Sequence, residues 1–323
     1  MYALAVPYSM IIINDNMSFE DSESSQRQRL ESIASMYDTR SEQYDDNNVH
    51  VRQARDYQAW ADLKPGENVL DLACGTGLVA LGAKNIVGSS GRVVGVDISE
   101  GMLNVARRKA AAAAAAAQQE DDYSVVFVKH DISDLTGLLE SLAIAPQEPR
   151  GSSSPAHDRF DVITCAAALI LLEDPVAAVR NWKETVLAPR GGRVVTDVQT
   201  KNANVVMNVF ADIAREVGQT VAWDADRWQS KGALAEVMRQ AGLRVERVFE
   251  TEPYARRTYT TEQAGEVFDG AVEKEMFRSF GADDIRAKAR ELFMRRFRDL
   301  AASNGRGEIE EETRFWVVVA STS

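Results

Sequence analysis

The sequence predicts an α/β protein whose strands form a parallel sheet, and two observations carry that prediction. The first is Val69-Leu70-Asp71-Leu72-Ala73-Cys74-Gly75-Thr76-Gly77, where an apolar strand with one carboxylate enters a glycine turn and Leu78-Val79-Ala80-Leu81 opens a helix. The second is that short apolar strands recur downstream, separated by helical stretches, the pattern of βα units. A backbone turning this tightly on glycine can approach a ligand closely, because no Cβ intervenes. The helix start adds unpaired N–H groups. Together they point to a small polar cofactor at the sheet edge.

The elements follow in order. Residues 1–30 read as a flexible extension, of which 1–16 are expected to be dispensable for the fold. Tyr2 to Ile13 is apolar, but it is short for a membrane span and lacks the basic flank of a secretory signal. Residues 31–63 read as a helical N-terminal cover, with helices over Leu30–Tyr44 and Val51–Leu63. Lys64-Pro65-Gly66-Glu67 is a turn that delivers the chain into the main domain, residues 64–323. The second strand, Arg92 to Asp97, ends in an acid, and a helix starting near Ile98 runs into eight alanines, Ala110 to Ala117. That run extends an exposed helix without chemical meaning. A third strand, Val125 to His130, ends at Asp131-Ile132. Ala145 to His157, rich in proline and serine, is a mobile insert. The fourth strand, Phe160 to Cys165, opens onto three alanines, and the fifth, Gly192 to Asp197, follows the turn at Leu187 to Gly191. Helices over 204–217 and 227–240 precede a sixth strand at 244–250, and Arg314 to Ala320 is the last. Between those two strands an insertion, about 252–310, carries helices over Thr261–Phe280 and Asp283–Ala302. Phe268, Val272, Met276 and Phe277 recur at helical spacing, as do Ile285, Leu292, Phe293 and Phe297. These stripes read first as packing, and second as a lid over an apolar substrate.

The turn alone leaves the cofactor open. Gly75-x-Gly77-x-x-Ala80, with Asp97 roughly 20 residues on, also fits the dinucleotide pattern. A pyrophosphate repels a carboxylate inside the strand, however, whereas a ligand with an ammonium group favours Asp71. A single Asp at a strand end is a natural helix N-cap. The series of such positions carries more.

That series resembles the class I S-adenosylmethionine-dependent methyltransferases. Asp71 to Gly77 is similar to the family's first motif, Val94 to Ser99 to its acidic second-strand motif, and His130-Asp131-Ile132 to the motif flanking adenine. Phe160 to Ile163 and Leu187-x-Pro189-x-Gly191-Gly192 are similar to the motifs of strands four and five. Within the class, Tyr37-Asp38 and Tyr44-Asp45 place the chain nearest the ubiquinone/menaquinone-type small-molecule methyltransferases. The resemblance implies a Rossmann-like, seven-stranded, mostly parallel sheet with the last strand antiparallel. It implies S-adenosylmethionine as cofactor and S-adenosylhomocysteine as product. The backbone at Ala73, Gly75 and Gly77 would pass beside the methionine part, and Asp71 would help position it. Asp97 would accept from the ribose, Ile98 and Met102 would pack on adenine, and Asp131 and Ile132 would meet the adenine amine. The backbone at Thr164 or Cys165 would face the ammonium group. A nicotinamide oxidoreductase is disfavoured by Asp71 and Asp131.

Composition narrows the acceptor. The 323 residues hold 37 Lys plus Arg against 49 Asp plus Glu, a net charge of −12. This argues against nucleic acid, whose phosphates need a basic surface. Arg286 to Arg298 is locally basic and reads as a solvated helix face. Two cysteines and three histidines support neither a disulfide framework nor a metal site, and point to a reducing compartment, the cytosol or nucleus, with a cytoplasmic location preferred.

Methyl transfer needs an in-line nucleophile, exclusion of water and sometimes a base. Tyr37, Tyr44 and His50 precede the first strand, in the segment that covers the site in the family, and are the candidate catalytic residues. His50 is the first choice of base because imidazole titrates near neutrality; at a helix start it is equally a surface residue. Strand alternation turns His130 away from Asp131, towards a supporting role. Trp223, Arg227 and Trp228 are candidates to line an acceptor pocket. The reading is a methyltransferase acting on oxygen, nitrogen or carbon of a small, partly apolar molecule, with natural-product biosynthesis as one setting. The alternative keeps fold and cofactor but catalyses an isomerisation or cyclisation. A homodimer stays open.

Overall fold

A computed structural model describes residues 19–117, 125–144, 159–221, 227–303 and 305–323. The expectations for residues 1–16, the Ala145–His157 insert and Trp223 fall outside the described residues.

The first strands are β1 (Val69–Leu72), β2 (Val93–Asp97), β3 (Val125–Lys129), β4 (Val162–Cys165), β5 (Arg193–Gln199) and β6 (Arg244–Glu250). Then come β7 (Ala255–Thr260), β8 (Glu308–Thr313) and β9 (Phe315–Ser321). Seven of them form one sheet in the order β3-β2-β1-β4-β5-β9-β6. β1 runs parallel to β2 and β4, while β9 is antiparallel to both β5 and β6. The reversed strand is therefore last in sequence but sits inside the sheet, next to one edge.

Ten helices are described: α1 (Phe19–Arg40), α2 (Asn48–Trp60), α3 (Leu78–Val87), α4 (Glu100–Ala117) and α5 (Leu138–Ile144), then α6 (Pro175–Thr185), α7 (Val205–Ala214), α8 (Lys231–Gln240), α9 (Ala264–Val272) and α10 (Arg286–Ser303). Every residue of β1, β2 and β4 is buried, as a sheet covered on both faces requires. Alternation along β1 sends Leu70 and Leu72 into one core, with Phe160, Trp182 and Met238. Val69 points to the opposite core, with Tyr57, Val79, Leu103 and Phe127. Asp71 shares the side of Val69, towards α3.

Local chemistry sets the helix ends. Asp174 caps α6 by accepting from Ala177 N–H, with Pro175 in the first turn. Ser230 caps α8 in the same way, so that helix starts at Lys231, not at Arg227 as the sequence suggested. α1 begins at Phe19, well before Leu30, and ends in a 3-10 turn over Ser41–Asp46. The alanine run forms the end of α4, exposed or half-buried through residue 116.

The insertion holds an element the sequence did not announce: β7 and β8 pair as an antiparallel ribbon. Glu308-Ile309-Glu310-Glu311-Glu312-Thr313 is too acidic for a strand by propensity. Pairing Arg256 with Glu312, Arg257 with Glu311 and Tyr259 with Ile309 sets opposite charges and apolar groups across from each other. α9, α10 and α7 close on a third core containing Phe210, Phe268, Phe277, Phe280, Phe293 and Phe297. Apart from Ile285, which lies just before α10, the helical stripes of the insertion are spent on that core. The basic face of α10 is paired: Arg286 and Arg290 meet Asp269, and Arg295 and Arg296 meet Glu216.

Candidate functional site

Ala73, Gly75 and Gly77 all have positive φ, at 50°, 53° and 80°. The turn they make is closed by Gly77 N–H donating to Cys74 C=O at 2.9 Å and tied to β2 by Cys74 N–H donating to Val96 C=O at 2.9 Å. A Cβ on Gly77 would meet Phe127 at 3.0 Å and Ala106 at 3.1 Å, so glycine is required by both φ and packing. A Cβ on Gly75 would instead project towards Tyr44, 3.9 Å away. Cys74 is buried beneath the turn.

Asp71 holds this turn from behind. It is 1% exposed; one carboxylate oxygen accepts from the Thr164 hydroxyl at 2.7 Å and the other from Ala80 N–H at 3.1 Å. The second contact satisfies an otherwise orphaned donor in the first turn of α3. Burial pushes its carboxyl up to about 7. Asp71 thus orders the turn and does not line the cavity above it.

Asp97, at the end of β2, accepts from Gly75 N–H at 2.8 Å through one oxygen and from Ser99 N–H at 2.9 Å through the other. It is both a local cap and a cross-link to the glycine turn. Burial raises its carboxyl above the ordinary range, opposed by the N–H groups of Ser99, Gly75 and Ile98. Asp131 repeats the capping pattern: Ser133 N–H donates to it at 2.8 Å and the Ser133 hydroxyl at 2.7 Å. Each oxygen of either carboxylate keeps lone pairs for a ligand.

These groups surround one cavity, lined mostly by apolar side chains with a few polar groups, as small-molecule sites are. Ala73, Gly75, Asp97, Ile98, Met102, Asp131 and Ile132 form one side. Ala166, Ala167, Ala168, Leu171 and Leu172, beyond β4, form another. Leu30, Ile33, Tyr37 and Tyr44 roof it. The roof is fastened to α4: Asp38 accepts from the Ser99 hydroxyl and Gly101 N–H, Glu42 pairs with Arg108, and Asp45 pairs with Lys109 at 2.8 Å. At the other end Arg29 donates to Leu171 C=O at 2.7 Å.

Of the residues singled out in the sequence, nine meet at this cavity: Tyr37, Tyr44, Ala73, Gly75, Asp97, Ile98, Met102, Asp131 and Ile132. Gly77 and Asp71 support the turn. Cys165 is fully buried, and its carbonyl already accepts from the Thr196 hydroxyl at 2.8 Å, with the Tyr57 hydroxyl oxygen 3.0 Å away. His50 is off the cavity wall, its ring stacked on Tyr44. Trp228 belongs to the core beside Leu234. Sequence reasoning missed Leu30, Ile33 and the wall from Ala166 to Leu172, and turned His130 away, whereas it lines the cavity. The small residues after β4 were a visible signal; the apolar face of α1 had no motif to mark it.

An α/β sheet with acids at the ends of β2 and β3 beside a glycine turn defines a nucleoside-cofactor protein. The model of the methyltransferase domain family matches residues 63–242, more than half of the chain, and the chain belongs to that family. The ubiquinone/menaquinone biosynthesis C-methyltransferase UbiE of Shewanella frigidimarina is 28% identical over 173 residues, 52% of this chain and 59% of that protein. The demethylmenaquinone methyltransferase of Symbiobacterium thermophilum is 39% identical over 84 residues, 24% of this chain and 33% of that one. The chain thus matches between a third and three-fifths of the length of these relatives. A solved structure of a Haloferax volcanii methyltransferase with the Trm112 activator matches with a TM-score of 0.48 at 19% identity, covering 88% of this chain and 97% of that one. The donor in the family is S-adenosylmethionine, and the residues present fit it. At Gly75 no Cβ stands between the turn and the cavity, the carboxylates can accept from hydroxyl and amine groups, and Ile98, Met102 and Ile132 offer apolar contact.

Proposed function

We propose that this chain transfers the methyl group of S-adenosylmethionine to a small, partly apolar acceptor. One observation carries the reading: seven of the residues expected to hold the donor, Ala73, Gly75, Asp97, Ile98, Met102, Asp131 and Ile132, line a single cavity, roofed by the apolar face of α1 and by Tyr37 and Tyr44. The bound donor supplies an electrophilic methyl on a sulfonium. Asp97 accepts from the ribose hydroxyls and Asp131 from the adenine amine. Ala73 and Gly75 pass beside the amino-acid part, while Leu30, Ile33, Leu171 and Leu172 exclude water.

Burial raises the phenols of Tyr37 and Tyr44 above the usual tyrosine range, so both remain protonated at neutral pH. They act in this reading as donors and ring contacts, not as bases. His50 is held neutral and acts through Tyr44 by fixing its ring. The chemistry rests on orientation and dryness, which suits an acceptor acidic enough to lose its own proton. The acceptor class is supported by the quinone methyltransferases among the relatives, and by a net charge of −12 that disfavours nucleic acid. Among the described residues no helix is long and apolar enough to cross a membrane.

The test is calorimetric binding of S-adenosylhomocysteine and NAD, followed by transfer of labelled methyl to a panel of quinols, phenols and amines. Binding of the first ligand alone, with label in a small aromatic acceptor, is the expected outcome. Binding of NAD, or cofactor binding with substrate conversion and no label transfer, overturns it.

A further inference from the structure

Asp197 lies on β5 with no exposed surface, and nothing in the transfer chemistry uses it. Its contacts run in two directions. One oxygen accepts from Ala167 N–H at 3.0 Å. The other accepts from Gln53 Nε2 and from the Tyr57 hydroxyl, both at 2.7 Å. Tyr57 Oη also lies 3.0 Å from Cys165 C=O, so the cluster grips the end of β4 at two places.

Ala167 is part of the cavity wall and has a φ of 55°, a conformation that disfavours a side chain. Such a residue persists where its surroundings over-determine it. Gln53 and Tyr57 are four apart on α2 and share a face. The same helix carries His50, whose ring lies on Tyr44 in the roof. One buried carboxylate therefore joins a strained stretch of wall to the helix that supports the roof.

We propose that Asp197 is a positioning residue: it holds Ala167 in the left-handed conformation, locks the wall after β4 to α2, and so fixes the shape of the cavity. The proposal rests on the reading of this cavity as the donor site.

The experiment is a double-mutant cycle on the full chain, read by calorimetric affinity for S-adenosylhomocysteine, with circular dichroism and cooperative melting as checks of folding. Asp197→Ala weakens binding about tenfold, because Ala167 leaves its disfavoured conformation once its acceptor is gone. In the Ala167→Gly background the same change costs less than about threefold, since glycine holds that φ without a tether. A residue that only stabilised the fold would lower the melting point, leave affinity unchanged and show no such coupling. Unchanged affinity in Asp197→Ala, or an equal loss in both backgrounds, overturns the proposal. If Asp197→Ala does not fold, Tyr57→Phe, which removes the bridging hydroxyl, is measured instead. A several-fold loss supports the proposal and wild-type affinity overturns it. Wild-type protein that binds no S-adenosylhomocysteine overturns the donor-site reading itself, a result distinct from any of these.

Discussion

The imidazole of His50 lies flat on the phenol ring of Tyr44, with 4.4 Å between centroids and 8° between planes. His50 is in the first turn of α2, where the helix dipole disfavours a cation. Burial, and then the Arg40 guanidinium, lower its pKa; Asp45 pulls the other way. The imidazole therefore titrates below the usual histidine value of about 6.5. A proton NMR titration of the ring resonances, assigned with a His50→Gln variant, measures this directly. A value at or above 6.5 removes the neutral imidazole from the account of the roof.

Asp97→Ala should weaken S-adenosylhomocysteine binding at least tenfold. Two ribose hydrogen bonds at about 1 kcal/mol each are lost. The variant also strips acceptors from Gly75 and Ser99 N–H, so the glycine turn loosens and the melting point falls. Calorimetry reads the first effect and thermal denaturation the second. A lower melting point with unchanged affinity would leave Asp97 as a cap and nothing more.

Much of this site was legible before the structure because strand ends have strong local grammar. Apolar runs bounded by glycine, proline and aspartate placed β1 to β6 and β9 within a residue or two. The same grammar fails where stability comes from partners distant in sequence. β8 is acidic and becomes a strand only opposite Arg256 and Arg257. The first turns of α1, Phe19 to Gln26, are too polar to advertise a helix. The fastening of its C-terminal end through Asp38, Glu42 and Asp45 depends on α4, about 60 residues away. Asp71 was recognised as a residue that matters, but not its direction: alternation along β1 turns it into α3 and off the cavity wall.

That fastening is testable by itself. Asp38 accepts from the Ser99 hydroxyl and Gly101 N–H at the start of α4, a cap supplied from another helix. Asp38→Ala should cost about 1 kcal/mol, the usual cost of a lost cap. The larger effect is local: amides of α1 should exchange with deuterium several-fold faster, while those of β1 and β4 keep their protection. Equal exchange in α1 before and after the substitution would mean that Asp38 is not what fastens the roof to α4.

Two buried carboxyls give the protein an unusual dependence on pH. Burial pushes both Asp71 and Asp197 up to about 7, whereas an unfolded chain releases such protons near pH 4. Between those values the native state holds protons that the unfolded state has lost. Stability from these two groups is complete below about pH 4 and is lost as pH rises through about 7. Each unit of difference is worth roughly 1.4 kcal/mol, so the effect is several kcal/mol in order of magnitude. His50 works in the opposite sense, because its lowered value lets the unfolded chain bind the proton more readily, and stability rises with pH up to about 6.5. The two signs are separated by difference. Urea midpoints of the wild type and of Asp71→Asn and Asp197→Asn are measured from pH 5 to pH 8. The advantage of the wild type over each variant should shrink as pH rises, since the amide has no proton to lose. A difference that stays flat across that range would show that the carboxyl titrates alike in the folded and unfolded states, and that the hydrogen bonds from Thr164 and Ala80, or from Tyr57, Gln53 and Ala167, fully offset its burial.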